Sequence, residues 1–239
     1  NGDLKKKKYS PKFTADLVGG DLGYDTFYGF SGQSFIAFSD IFGDHNFYLS
    51  TNLGNFFDQS NIQFLYTYTK HRIDYGLSVF HNQNYYIDSI DRLFNDKVYG
   101  GTAAVSRPFS KFMRLELGIS HVTIKRKYYD PPFDNARDRS FLLSSSLVAD
   151  YVRWGFTGPV DGSRYAFHYT HSIEDALGAN LGFRTVEVDY RRYFNINNRY
   201  LFALRFAGAA SYGRNPQEFY LGGTANWIGS NFKREDIYG

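Results

Sequence analysis

The sequence predicts an all-β protein, an antiparallel transmembrane β-barrel, from three observations. Apolar and polar residues alternate with a period of two over long stretches, as side chains do along a β-strand. Several stretches run for about 10 residues or more, which suits a tilted membrane-spanning strand better than the ~5–6 residues of a soluble sheet. The chain is also 20% aromatic. Its Tyr and Phe residues gather near the ends of these stretches, where the two membrane interfaces would lie.

The alternation is clearest between residues 113 and 120. Four apolar residues fall on one face of a strand and four polar or small ones on the other: Met113, Leu115, Leu117 and Ile119 against Arg114, Glu116, Gly118 and Ser120. The pattern recurs at 47–53, 62–68, 186–191 and 202–207. No window of similar length follows the helical i, i+3, i+4, i+7 spacing as well.

Turn and loop signals divide the chain into eleven predicted strands within one domain, residues 1–239. The strands cover 11–18, 28–39, 44–54, 60–70, 73–82, 96–107, 110–127, 138–153, 162–172, 180–194 and 198–212. The breaks are rich in Gly, Pro, Asn and Asp, as at Gly19-Gly20-Asp21 and Asp130-Pro131-Pro132. Short joins such as 107–110 roughly alternate with longer ones such as 83–95 and 128–137, which is typical of a barrel with tight turns at one rim.

The composition excludes several kinds of site. The chain has no Cys, which removes disulfides, thiol nucleophiles and Cys-ligated zinc. A net charge of +3 is too small to indicate a nucleic-acid partner. Neither Gly19-Gly20 nor Gly100-Gly101 is followed by the Lys-Ser/Thr of a phosphate loop, so no cofactor site is predicted. No run of 18 apolar residues occurs, but barrel strands alternate and score poorly on hydropathy.

Charges in mid-strand help to decide between two all-β architectures. In a soluble sandwich the apolar faces pack on each other and the charged faces meet water. In a barrel the apolar face meets lipid and the polar face lines the lumen. Glu187, Asp189 and Arg191 share one strand face, with Arg205 expected on the neighbouring strand. We interpret these four residues as an ion-pair lattice in a polar lumen, and paired catalytic carboxylates are the weaker alternative.

Other catalytic or metal-site interpretations have less support, and no catalytic or metal-binding residue is predicted. His168 and His171 are three residues apart, so on a strand they point to opposite faces. These two and His121 are interpreted as surface or lumen side chains. Ser144-Ser145-Ser146 lacks a Gly-x-Ser-x-Gly elbow. The run Lys5–Lys8 is interpreted as a solvated tether, with contact to anionic head groups as the alternative.

Three motifs carry a resemblance to a known family. Residues 219–227 (FYLGGTANW) contain F-x-L-G-G, residues 154–164 contain a G…P..G.R junction, and residues 188–193 followed by 201–208 form a D.R.Y strand pair. Together they resemble the bacterial surface antigen (BamA-type) superfamily of outer-membrane barrels, in which the first motif opens the sixth extracellular loop. Residues 9–45 are similar to a subgroup that carries a TolB-like β-propeller ahead of the barrel.

The resemblance implies a sixteen-stranded barrel in the outer membrane of a Gram-negative bacterium. Eleven predicted strands precede Leu221, which is where the sixth loop follows in that superfamily. The chain is therefore expected to be partial, with five strands and the N-terminal domain outside it. The implied loop residues are Phe219, Leu221, Gly222, Gly223, Trp227 and Arg234. The superfamily's Arg-Gly-aromatic tip is not found in residues 228–239, so Arg234 is assigned by position only.

Three classes of function remain open. The resemblance implies a non-enzymatic barrel that assists assembly or translocation of other proteins, or scaffolds an envelope complex. Its partners would be outer-membrane lipids and other envelope proteins or lipoproteins. Client strands would pair at a seam by β-augmentation, near residues 11–18, with Gly19-Gly20 limiting the pairing length. A passive pore and a barrel-embedded hydrolase are the alternatives.

Overall fold

Long β-strands make up most of the computed structural model, which describes residues 9–26, 29–53, 60–88, 90–156, 158–196 and 200–219. The strands, in chain order, are β1 (Phe13–Asp25), β2 (Gly29–Asp40), β3 (His45–Leu53), β4 (Asn61–Tyr68), β5 (Asp74–Ile87), β6 (Leu93–Pro108), β7 (Met113–Tyr128), β8 (Ala136–Asp150), β9 (Arg153–Gly155), β10 (Gly158–Ser172), β11 (Phe183–Ile196) and β12 (Tyr200–Gly213). A short 3₁₀ turn at Ala176–Gly178 precedes β11. Within these ranges, no helix is long and apolar enough to cross a membrane.

All twelve strands belong to one sheet. The order is β1 to β8, then β10, β11 and β12, and every pairing is antiparallel. The short β9 pairs only with the first residues of β10. The predicted all-β, antiparallel fold class is confirmed, and each of the eleven predicted strands has a counterpart, with β9 as an addition.

The predicted break at Gly19-Gly20 is wrong. Both residues lie inside β1, where Gly19 pairs with Phe35 and Gly20 with Ser34, and the strand continues to Asp25. A Cβ at Gly19 would overlap the ring of Phe35. Glycine here makes room for an aromatic side chain across the strand pair, so it does not turn the chain.

The long connection predicted at 83–95 is also mostly strand. β5 runs to Ile87 and β6 begins at Leu93, with Tyr86 paired to Phe94. Only residues 88–92 remain as a connection. The Asn and Tyr residues that signalled a loop instead occupy strand ends, and the two Asp residues, Asp88 and Asp91, lie in the connection.

The register sorts the side chains into two faces, because directly opposite residues of paired strands point the same way. Leu77, Ala103, Ile119 and Leu143 form one cross-strand row on what we call the apolar face. The neighbouring row, Ser78, Thr102 and Ser120, lies on the polar face. There the hydroxyl groups of Thr102 and Ser120 are 2.8 Å apart and hydrogen bonded. The alternation seen in the sequence thus becomes two chemically distinct surfaces.

The apolar face is the exposed one. Leu77 and Ile119 are each 49% exposed, whereas Asp96 and Thr185 on the polar face are 2% and 1% exposed. A soluble sandwich would show the reverse, with apolar side chains packed between two sheets. The described strands form a single sheet, so the sandwich alternative fails.

The two ends of the sheet differ in their connections. Residues 41–44, 69–73 and 109–112 form short turns at one end, which we call the turn end. Residues 88–92, 129–135 and 173–182 connect strands at the opposite end, the loop end. At the turn end Gly43 has φ 70°, and its N–H donates to the carbonyl of Asp40 at 2.9 Å. Glycine adopts this left-handed conformation without the steric cost other residues incur.

Candidate functional site

A charge cluster lies on the polar face where β11 meets β12. Arg191 donates from Nε and Nη2 to the two carboxylate oxygens of Asp189, both at 2.9 Å. Arg205 reaches the same carboxylate from β12, with Nη2 2.8 Å from Oδ2. The structure therefore brings together three of the four residues assigned to the ion-pair lattice, and a single carboxylate bridges two guanidinium groups.

The register explains why this carboxylate is needed. Arg191 and Arg205 are direct cross-strand partners, and like charges in that relation repel. The side chains of Asp189, Arg191 and Arg205 are only 15%, 6% and 9% exposed. Partial removal from water strengthens both the repulsion and the attraction to Asp189. The bidentate bond from Arg191 fixes the Asp189 carboxylate within β11, and the bond from Arg205 to that carboxylate links β12, the last described strand, to β11.

Glu187 lies on the same face, one strand repeat away from this cluster. Its direct partner on β10 is His168, whose Nδ1 is 2.8 Å from Ser146 Oγ. Glu116 and Arg114 of β7 form an ion pair nearby. These groups border a depression of about 310 Å³ that contains side chains of both signs.

The three histidines do not converge. His168 is on the polar face, whereas His171 pairs with Leu143 and His121 with Phe141 on the apolar face. The opposite orientation expected for His168 and His171 is what the register gives. Among the described residues, no group of His, Asp and Glu side chains is arranged to hold a metal ion.

A clamp at the loop end was not anticipated from the sequence. Arg92 Nε donates to Asp88 Oδ2 at 2.8 Å, and Arg92 Nη1 donates to Asp134 Oδ2 at 3.1 Å. The guanidinium carbon also lies 4.4 Å from the ring centre of Tyr128. Hydrogen bonds to Asp134 and Asp88 raise the pKa of Arg92. One arginine thus joins connections 88–92 and 129–135, and only the local richness in Asp signalled it.

Asp88 is the acceptor at the base of this clamp. Its Oδ1 accepts the backbone N–H groups of Ile90 and Arg92 at 3.0 and 2.9 Å. Burial acts to raise the pKa of Asp88, but the hydrogen bonds from the Arg92 backbone and side chain and from Ile90 outweigh it and hold the pKa below its ordinary value. The ionised carboxylate therefore orders the connection.

Residues 214–219 follow β12 and turn toward the polar face. The N–H of Gln217 donates to Ser211 Oγ at 2.8 Å, and Ser211 faces Thr185 on the polar side. The N–H of Asn215 donates to the carbonyl of Gly182 at 3.0 Å.

Of the six residues assigned to the sixth-loop motif, Phe219 is described and half-buried. The other five lie outside the described residues: Leu221, Gly222, Gly223, Trp227 and Arg234. The run Lys5–Lys8 lies outside them as well.

β1 is an edge of the sheet in the described part of the chain, because it pairs only with β2. Its register shifts between Ala15 and Leu17, as at a β-bulge. Leu17 and Leu22 are 56% and 73% exposed. An edge strand presents unpaired N–H and C=O groups that can accept another strand.

One antiparallel sheet of long strands with an exposed apolar face and a charged polar face defines a class, the transmembrane β-barrel. Within that class, the crystal structure of BamA from Haemophilus ducreyi lacking POTRA domains 1–3 is similar, with a TM-score of 0.60 and 16% sequence identity over 86% of this chain. The chain spans 42% of the length of that BamA chain. No protein-family model and no curated protein sequence matches. The fold of this chain is that of a BamA-type barrel.

Proposed function

We propose that this chain belongs to an integral outer-membrane β-barrel of a Gram-negative bacterium that assists the assembly or translocation of other outer-membrane proteins, or scaffolds an envelope complex. The first strand, β1, carries this proposal: in a BamA-like sheet it pairs only with β2 among the described strands, and it contains a β-bulge and three glycines. Membrane embedding, the role of the edge and the role of the segment after β12 are its three parts.

Membrane embedding follows from the cost of the exposed apolar face in water. Val79 and Leu117 are 51% and 46% exposed, in rows of similar side chains across several strands. Each buried Å² of apolar surface gains roughly 25 cal/mol, so a face of this kind favours hydrocarbon over water. Paired strands satisfy each other's backbone groups through the sheet hydrogen bonds, as lipid requires.

The edge of β1 is suited to capture a client strand. In hydrocarbon, each unpaired backbone group costs several kcal/mol, so a client strand that pairs with β1 is favoured whenever the seam between β1 and the last strand of the barrel opens. Because Gly19 and Gly20 lie inside β1, the pairing length extends from Phe13 to Asp25 and is not cut short at Val18. Main-chain bonds alone give an interface that tolerates many client sequences.

The segment after β12 would form the sixth extracellular loop, with Phe219, Leu221, Gly222, Gly223, Trp227 and Arg234 as its motif. The turn of residues 214–219 toward the polar face supports this assignment, because such a loop must enter the barrel. A TolB-like β-propeller before the barrel and five strands after it belong to the same proposal. The complete reading frame tests both.

The chain has no native Cys, so single-cysteine variants give unique labels on β1. We would label Leu22→Cys with a photoreactive maleimide and synthesise an outer-membrane protein in the presence of the labelled barrel. Leu117→Cys on β7 is the matched control, since both residues lie on the apolar face but β7 is paired on both sides. Adducts between client and β1, but not β7, are expected. Equal labelling from both positions, or no client adduct from β1, would contradict the proposal.

A passive pore is the second candidate, and the charged depression beside Glu187 favours it. A water-filled lumen lined by both signs of charge would conduct small ions. Planar-bilayer recordings of the full-length protein distinguish the two functions. A long-lived open level with no client adduct from β1 indicates a pore.

A further inference from the structure

Four basic side chains gather on the apolar face at the loop end. Lys125 of β7 pairs directly with Arg137 of β8, and Arg139 and Lys127 lie two residues to either side of that row. We call these four residues the basic cluster. Lys125, Lys127 and Arg137 are exposed, and Arg139 is half-buried. Lys97 of β6 lies in the same row as Lys125.

No carboxylate shares this face on the strands concerned. Strands β5 to β8 carry five acidic residues, and the register places every one on the polar face: Asp74, Asp96, Glu116, Asp138 and Asp150. Among the described residues, none of the four cluster members forms an ion pair. The cluster is therefore a local excess of positive charge in a protein of nearly balanced composition.

Three of the four carboxylates in connections 88–92 and 129–135 already have partners, and the fourth, Asp91, is exposed. Asp88 and Asp134 bind Arg92, and Asp130 Oδ2 accepts the backbone N–H of Leu93 at 2.8 Å. These groups do not neutralise the cluster. The positive charge remains directed outward, to whatever surrounds this face.

Aromatic rings hold two of the ammonium groups at the edge of the apolar band. Lys125 Nζ lies 5.3 Å from the ring centre of Tyr99, and Lys127 Nζ lies 5.2 Å from that of Tyr129. Tyr85 stacks on Tyr129 with ring centres 6.3 Å apart. Tyr and Lys together are typical of a membrane interface, where one end of the side chain is apolar and the other is wet.

An apolar recess lies on the same strands, on the same face, nearer mid-strand. Its volume is about 610 Å³. The short side chains of Ala103 and Ser145 form its floor between the larger Tyr75, Leu117 and Tyr169. Leu143 at its border is four residues from Arg139 along β8, a separation of about 13 Å at the usual strand rise. An acyl chain that starts at the cluster reaches the recess.

We propose that the apolar face of β5 to β8 binds a membrane lipid whose head group carries phosphate. The phosphate oxygens would bind the basic cluster, and one acyl chain would lie in the recess. This inference rests on the proposed membrane embedding, because it requires the apolar face to meet lipid. Charge complementarity identifies the head group, and the adjoining recess distinguishes a lipid from a free phosphate or an acidic protein.

Native mass spectrometry of the full-length protein in neutral detergent tests the proposal. Dioleoyl phosphatidic acid is the anionic probe and dioleoyl phosphatidylcholine the zwitterionic one. We expect phosphatidic acid to be retained at about tenfold lower concentration than phosphatidylcholine, and the variant Lys125→Gln/Lys127→Gln to lose that preference. The matched control Lys12→Gln/Lys111→Gln removes two exposed lysines away from the cluster and should leave the preference unchanged.

The recess has its own test. Ala103→Leu/Ser145→Leu fills it with side chains that point away from the packed polar face, so the fold is retained. The variant should bind dioleoyl phosphatidic acid no better than the short-chain dihexanoyl form.

Equal retention of both dioleoyl lipids by the wild type, or an unchanged preference in Lys125→Gln/Lys127→Gln, would overturn the proposal. Flotation with phosphatidylcholine vesicles separates the outcomes, because a protein that floats but does not discriminate is embedded without this lipid site.

Discussion

The central strands and the first strand share the alternation of polar and apolar side chains but differ in how they are paired. β7 is paired on both sides, with β6 from Phe94 to Pro108 and with β8 from Met113 to Arg126. β1 is paired on one side, contains a bulge and carries three glycines in thirteen residues. Among the described strands, the centre is thus paired on both sides, whereas β1 is paired with β2 alone and has the less regular backbone.

Under the proposed function, stability and client binding depend on different parts of the sheet. Each interior strand has its N–H and C=O groups satisfied within the sheet, so opening it in lipid would cost several kcal/mol per group. In the described part of the chain β1 is paired on one side, and its glycines lower the cost of local opening because they pack little surface. Variants that disturb the centre should thus affect folding, and variants that disturb the edge should affect client binding.

The largest effect is expected at Gly100 in β6. A Cβ there would overlap the backbone carbonyl of His121 on β7, and backbone cannot move aside cheaply. We expect Gly100→Val to destabilise the barrel by about 3 kcal/mol or more, measured by urea titration in detergent with circular dichroism.

Substitutions of two other strand glycines serve as controls for Gly100→Val. Gly76→Val in β5 lies on the same polar face with nothing within 4 Å of the added Cβ, so the midpoint should stay near that of the wild type. Gly23→Val in β1 meets only Ser31 at 3.8 Å or more and should behave likewise. If Gly76→Val were as damaging as Gly100→Val, overlap with the His121 carbonyl would not be the cause, since the strand propensity of Val exceeds that of Gly at both positions.

A smaller effect is expected at Asp189, which holds the opposite edge strand β12 to β11. Asp189→Asn leaves Arg191 and Arg205 facing each other with little water, which should cost about 2 kcal/mol. Glu116→Gln is the control, because its ion pair with Arg114 is half exposed (side chains 37% and 51%) and should be worth less than about 1 kcal/mol. Equal midpoints for the two variants in urea would show that the cluster does not secure β12.

Much of the fold could be predicted from the sequence because the two-residue alternation of apolar and polar side chains marks the strands. Several strands alternate clearly, so the parity of residues such as Met113 to Ile119, together with the turn signals, located the predicted strands; β8, with Leu142 beside Leu143, is an exception. The same parity placed Glu187, Asp189 and Arg191 on one face. The sequence could not distinguish a glycine that turns the chain from one that admits a ring, as at Gly19, because the distinction depends on Phe35 across the pair.

Contacts between distant segments could not be predicted from the sequence either, because they also depend on how the strands pair. Arg92 and Asp134 are 42 residues apart, and their pairing depends on the register of β6 with β7. The run Lys125-Arg126-Lys127 is visible in the sequence as a group of basic residues, but its division between the two faces of the sheet was not predicted. On a strand it splits, so that Arg126 binds Asp96 on the polar face while the two lysines join the basic cluster. The functional loop motif after Phe219 stays a prediction.

A change at Phe13 is expected to lower stability modestly and to raise the yield of client adducts from β1 more strongly. Its ring lies 5.4 Å from that of Phe47 and 6.5 Å from that of Phe38, so it fastens the turn end of β1 to the sheet. Phe13→Ala should cost about 1 kcal/mol and should increase client adducts from labelled Leu22→Cys, because β1 opens more readily. Phe112→Ala, which removes a similar ring contact with Tyr151 away from β1, should leave the adduct yield unchanged. Fewer adducts from Phe13→Ala would mean that the edge must be rigid to work.

The smallest effect is local and concerns the connection between the central strands β5 and β6. Because the pKa of Asp88 is held below its ordinary value of 3.8, its hydrogen bonds to Ile90 and Arg92 are fully present above that value. They are lost as the pH falls through the lowered pKa. The amide proton shifts of Ile90 and Arg92, followed by NMR against pH, should therefore titrate together with a midpoint below 3.8. Asp88→Asn, which cannot ionise, should abolish that titration. A midpoint at or above the ordinary value would mean that burial outweighs the hydrogen bonds and that the clamp does not order the loop end of the centre.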